Sequence, residues 1–141
     1  MMTEVLVTPD VEAAVHGYYR AELAARGWTA KVASRVPATR PPLMVKVTLT
    51  GGSSSGLVSH DAQITVECWA GKADGSGDQP KASELARLCA GLTDALVGSF
   101  IGGVWIQRVR HVSGPLDFPD PDTALPRYQF TKRLGVRKQA I

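Results

Sequence analysis

The chain has 141 residues, 44% apolar and 21% charged, with 16 Lys and Arg against 13 Asp and Glu for a formal charge of +3. That length fits one domain and one core over residues 1–141, and the small, interspersed charge lacks the basic stripe of a dedicated nucleic-acid binder. No apolar run reaches the roughly 18 to 20 residues of a membrane-spanning helix, and none follows the start as a signal peptide would, so neither a membrane nor a secreted protein is expected.

Thr8-Pro9-Asp10 sets a capping residue before a proline at the first helical position, and Val11, Ala14, Val15, Tyr18 and Tyr19 recur at helical spacing. A helix is predicted from about Pro9 to Arg26, stopped by Gly27. Trp28 to Val36 turns β-favouring until Pro37, and Ala38 to Pro42 reads as a Pro-rich connector. In the strand Leu43 to Thr50, Leu43, Val45, Val47 and Leu49 face one way while Lys46, Thr48 and Thr50 face the other. Gly51 to Gly56 (GGSSSG) reads as a flexible tip, and Ala62 to Trp69 returns with Ala62, Ile64, Val66 and Cys68 on one face.

A polar, glycine-rich loop from Gly71 to Gln79 precedes a predicted helix from Pro80 to about Ser99, marked by the stripe Leu85, Leu88, Cys89, Leu92 and Leu96. Gly102-Gly103 then turns the chain into a strand, Val104 to Ser113, whose imperfect alternation predicts a bulge or burial on both sides. The segment from Gly114 to Val136 (GPLDFPDPDTALPRYQFTKRLGV) reads as a loop of about a dozen residues running into a last strand, Arg127 to Val136. Four prolines fix φ there, and Asp117, Asp120 and Asp122 can bond neighbouring amides, which predicts a rigid surface ornament. The fold class is α+β: one mostly antiparallel mixed sheet, in the order α-β-β-β-α-β-β, with two helices packed on it.

No arrangement of reactive residues stands out. GGSSSG lacks the Lys-Ser/Thr and the strand-loop-helix context of a phosphate loop. His16, His60 and His111 are isolated and lack metal-ligand spacing. The serines lack a G-x-S-x-G elbow, and Cys68 and Cys89 read as buried free thiols. The expectation is a protein with no catalytic residue, metal or cofactor. Trp69 and Trp105, large aromatics near strand ends, read either as core anchors or as interface anchors.

Three stretches carry a resemblance to a known family: Arg35-Val36-Pro37 before the Pro-rich connector, Val66-Glu67-Cys68-Trp69 closing a strand, and the Gly-Pro to Pro-Arg-Tyr segment from Gly114 to Tyr128. Together with the element order, these resemble the tail terminator (tail completion) proteins of long-tailed phages, especially phages and prophages of actinobacteria, over roughly Pro9 to Val136. The resemblance implies a homo-hexameric ring that caps the completed tail tube, halts its polymerisation and meets the head-completion, or connector, proteins. It implies a place in the virion's tail and neck, with assembly in the host cytoplasm. Genomic DNA would pass through the lumen without specific binding, and the basic surplus, including Lys132, Arg133, Arg137 and Lys138, is expected to be paired across subunits or turned outward. Candidate contact residues for subunit, tube and connector are Arg35, Arg40, Ser53, Ser54, Ser55, Trp69, Trp105, Asp117, Phe118, Asp120, Asp122, Arg127, Lys132 and Arg133. The alternatives are another neck, tail-tube or head-closure protein, or a small nucleic-acid-binding sheet module stacking bases on Trp105, Tyr128 and Phe130.

Overall fold

The computed structural model describes residues 4–38, 41–123 and 125–141. Helix α1 (Val11–Ala25) starts where the Asp10 carboxylate accepts from the Ala13 amide at 3.0 Å, so Asp10 and not Thr8 is the cap. It buries Val11, Ala14, Val15, Tyr19 and Leu23. Helix α2 (Gln79–Asp94) is capped by Asp78, which accepts from Lys81 at 3.2 Å, and it carries Pro80 in the first turn, where a missing N–H leaves nothing unpaired. Its stripe Leu85, Cys89 and Leu92 is buried. Tyr18 Oη donates to the Leu92 carbonyl at 2.8 Å, and the Tyr19 and Thr93 hydroxyls share a hydrogen bond, tying the helices together.

Both helices cover one face of a six-stranded sheet ordered β2-β3-β4-β7-β6-β5, made of β2 (Lys31–Ala33), β3 (Leu43–Ser54), β4 (Ser59–Ala70), β5 (Ser99–Ile101), β6 (Val104–Asp117) and β7 (Arg127–Arg137). Only the β2–β3 pair is parallel. The predicted alternation holds except at the ends of β3, where Leu43 is half-buried and Leu49, at the bulge, is exposed: Val45, Val47, Ala62, Ile64, Val66, Cys68, Phe130, Leu134 and Val136 form the core beneath the helices. A separate ladder joins β1 (Leu6–Val7) to β8 (Gln139–Ala140). Two-residue strands carry no periodicity, so nothing in the sequence announces this pair.

Four boundaries differ from expectation. The second helix ends five residues before Ser99, because Gly98 turns the chain at φ 75° and Ser99–Ile101 pairs with Val104–Ile106 as β5. The GGSSSG tip is not a free tip: Gly51 to Ser54 pair with His60 to Gln63 across a bulge after Leu49, so the turn is confined to about residues 55–58. The strand expected over Trp28 to Val36 shrinks to Lys31–Ala33. Strand β6 runs on to Asp117, with register shifts at 106/108, 111/113 and 113/116 that realise the predicted bulge, so the long loop contracts to residues 118–126.

Candidate functional site

The β6–β7 hairpin sets two dissimilar surfaces at opposite ends of the sheet. At one end lies the Pro/Asp loop, residues 118–126. Its backbone is closed by the Phe118 amide donating to the Arg127 carbonyl at 2.7 Å and the Asp120 amide donating to Leu125 at 3.1 Å. Asp120 is buried; its carboxylate takes the Trp69 indole N–H at 3.0 Å on one oxygen and the Asp122 amide at 2.9 Å on the other. The Arg127 guanidinium lies between the Trp69 and Phe118 rings, 5.6 and 5.2 Å from their centroids, and donates to the Phe118 carbonyl at 2.9 Å and to Glu67 at 3.0 Å. Glu67 also faces Lys46 at 3.7 Å. This network holds the loop in one shape and leaves Phe118, Pro119, Pro121 and Asp122 facing solvent.

At the opposite end, β5 and β6 form a short hairpin around Gly102-Gly103, both at positive φ, as a two-residue turn that follows the twist of its strands requires. Phe100 and Trp105 are cross-strand partners with ring centroids 4.8 Å apart, and Phe100 is 71% exposed. With Gly103, Arg137, Lys138 and Gln139 they line an open depression of about 360 Å³. Lys138 Nζ is occupied with Ser54 Oγ at 3.0 Å and the Gly56 carbonyl, whereas Arg137 is exposed with no side-chain partner among the described residues. Leu57, 90% exposed, projects from the adjacent β3–β4 turn.

The helix-free face carries a polar ladder. Thr50, Thr65 and Thr131 pass hydroxyl contacts of 3.1 Å across three strands. Arg133 donates to Gln63 at 2.9 Å, and Arg108 to Asp61 at 2.9 Å.

The candidate residues therefore divide. Trp69, Asp120 and Lys132 are buried in the subunit's own structure, Trp69 beneath the loop that it holds through Asp120. Lys132 belongs to no exposed basic edge: it sits on the helix-facing side of β7, 3% exposed, with Nζ 2.9 Å from Asp94. Its pairing is thus within the subunit, because its parity in the strand matches Phe130 and Leu134. Arg127 and Arg133 are half-buried; Arg35, Ser53, Ser54, Ser55, Asp117, Phe118 and Asp122 are exposed, and Trp105 is half-buried against Phe100. Arg40 lies outside the described residues. Phe100 and the Asp94–Lys132 pair went unnoticed in the sequence. Phe100 had a signal, since SFIGGVWI has two apolar runs around Gly-Gly, the pattern of a tight hairpin.

His16 Nε2 contacts the Val32 carbonyl at 2.8 Å. Cys68 and Cys89 are buried free thiols, and burial pushes the Cys68 thiol, like the Tyr19 phenol, well above its ordinary pKa, which keeps the thiol protonated and unreactive. Among the described residues no cluster of three or more His, Cys, Asp or Glu is placed to hold a metal, and no helix is long and apolar enough to cross a membrane.

What the fold and the two ends define is a small α+β unit with helices on one sheet face and two unlike surfaces at the sheet's ends. No family model and no curated protein matches the chain. A solved chain described as "Virion of native gene transfer agent (GTA) particle" has the same fold, with a TM-score of 0.50 and 23% identity over 90% of this chain and 94% of that one.

Proposed function

We propose that this chain is a structural protein of a phage-type virion, and that within it the chain caps the tail tube as a six-membered ring, stops polymerisation and joins the tube to the head-completion proteins. The supporting observation is the fold shared, along nearly the whole length of both chains, with a component of a gene transfer agent virion. The particular place in the particle rests on the resemblance of the Arg35 to Pro37, Val66 to Trp69 and Gly114 to Tyr128 segments to tail terminators. The role is one of contact, not of chemistry. The subunit exposes 7644 Å²; two ring neighbours at about 800 Å² each would take about a fifth of it, leaving room for tube and head contacts. Two unlike surfaces suit head-to-tail contacts, which close into rings when the rotation allows.

The test is deletion of the gene in its phage, followed by electron microscopy. Tails of uncontrolled length with unattached heads, and six copies of the chain at the head-proximal end of wild-type tails, are expected. Normal tail length in the deletion, or copies distributed along the tube, would replace the capping role with that of a tube or head-closure subunit.

A further inference from the structure

We infer that the Phe100/Trp105 depression of one copy receives the Pro/Asp loop of a second copy, so that these two surfaces form the head-to-tail contact of the ring; this rests on the ring reading above. Three features carry it. The first is chemical complementarity. The loop offers two exposed prolines, Pro119 and Pro121, and the acid Asp122, while the depression offers a tilted aromatic pair beside Arg137, which is exposed and has no side-chain partner among the described residues. Proline rings pack well against aromatic-lined grooves, and a carboxylate facing a guanidinium fixes their register.

The second is preorganisation. Trp69, Asp120 and Arg127 hold the loop rigid from beneath, so little chain entropy is lost when its outward residues are covered. That buried scaffold holds Pro119 and Pro121 exposed to solvent.

The third is placement. Trp105 and Asp117 stand twelve residues apart on β6, but Ile106 to Asp117 pair with only the eight steps from Val136 to Tyr128 because of the bulges, so they lie about 30 Å apart. A patch and its complement at opposite ends of one strand can be matched with two different neighbours, which chains copies head to tail, as the ring reading requires. Successive contacts of a closed six-membered ring lie as far from its axis as from each other, so these would sit at a radius of about 30 Å.

The experiment is a charge exchange in the full chain. Arg137 and Asp122 are both exposed, so Arg137→Glu and Asp122→Lys leave the fold intact, checked by circular dichroism. Each variant alone opposes like charges at every contact and should need about tenfold or more protein to assemble. A 1:1 mixture restores opposite charges when the two variants alternate, so native mass spectrometry, at high concentration and on isolated tail tubes, should recover rings with three copies of each. Phe100→Ser should weaken assembly without rescue in any such mixture. If wild-type rings form and the single variants assemble equally well, or the mixture fails to recover them, this contact is wrong while the ring stands. If the mixture recovers assemblies of another size, the contact stands and the six-fold reading falls. A wild-type chain that remains monomeric in both settings overturns both.

Discussion

Lys132 and Asp94 give the sharpest energetic test, because one partner is buried and the other is open. Lys132 Nζ is 2.9 Å from Asp94 Oδ1, with side-chain exposures of 4% and 60%. Removing one member of a fully buried pair costs about 3–5 kcal/mol. Here water reaches the ammonium once the open carboxylate is gone, so about 1–2 kcal/mol is the reasonable scale. Asp94 is also the last residue of α2, where an acid opposes the helix dipole; its loss returns roughly 0.3–1 kcal/mol. Asp94→Ala should therefore destabilise by only about 1 kcal/mol net. Lys132→Met removes the buried charge itself and fills the same space, so it should be neutral or up to about 1 kcal/mol stabilising. The double variant should be at least as stable as wild type. Urea unfolding of all four proteins, with the denaturant slope unchanged, closes the cycle. Should Lys132→Met lose more stability than Asp94→Ala, the pair itself is a net source of stability and the reasoning fails.

Three further outcomes are expected. Trp69→Phe deletes the indole donor to Asp120, a charge-assisted bond of about 1.5–3 kcal/mol, so amide exchange in residues 118–126 should speed up more than in β4; unchanged loop protection would show that the bond does not hold the loop. Gly114 has φ 79°, and a Cβ there would lie 2.9 Å from the Phe130 Cα, so Gly114→Ala should cost at least about 2 kcal/mol, whereas Gly17→Ala, in open space on α1, should gain about 0.5–1 kcal/mol in the same thermal melts. Because burial raises the Cys68 thiol, the unfolded chain loses that proton first, and stability should fall as pH rises above about 8.5; Tyr19 adds to the fall above its ordinary value of 10.0. Cys68→Ala should flatten the first part of that decline in urea midpoints measured from pH 7 to 10, and an unaltered slope would discount the thiol.

What was legible in the sequence was what repeats. The leucine stripe of α2 and the alternation of β3, β4 and β7 each span enough residues for burial to impose its period, and the core followed from them. Strand ends were illegible, because a partner decides where pairing stops. Gly51 to Ser54 has the composition of a loose tip, yet Ser59 to Gln63 extends it as strand, and Gly114 to Asp117 is drawn into β6 by β7. At the candidate site, the proline and aspartate content announced a shaped loop, but not that Trp69, from β4, and the adjoining Arg127 would shape it. Lys132 reads as a surface cation when only its charge is counted. Its parity with Phe130 and Leu134 already placed it inward.

The pairing of Leu6–Val7 with Gln139–Ala140 brings the first and last strands of the chain together beside Gly103, whose carbonyl accepts from Gln139 at 2.7 Å. A fluorophore attached beside Leu6 or beside Ala140 therefore reports on the same side of the subunit, the aromatic side. Joining the two ends through a short linker and reopening the chain in the turn at residues 73–76 would leave every ladder of the six-stranded sheet uncut. Such a permuted chain carries its labels at the other end of the sheet, and so gives a second vantage on the subunit.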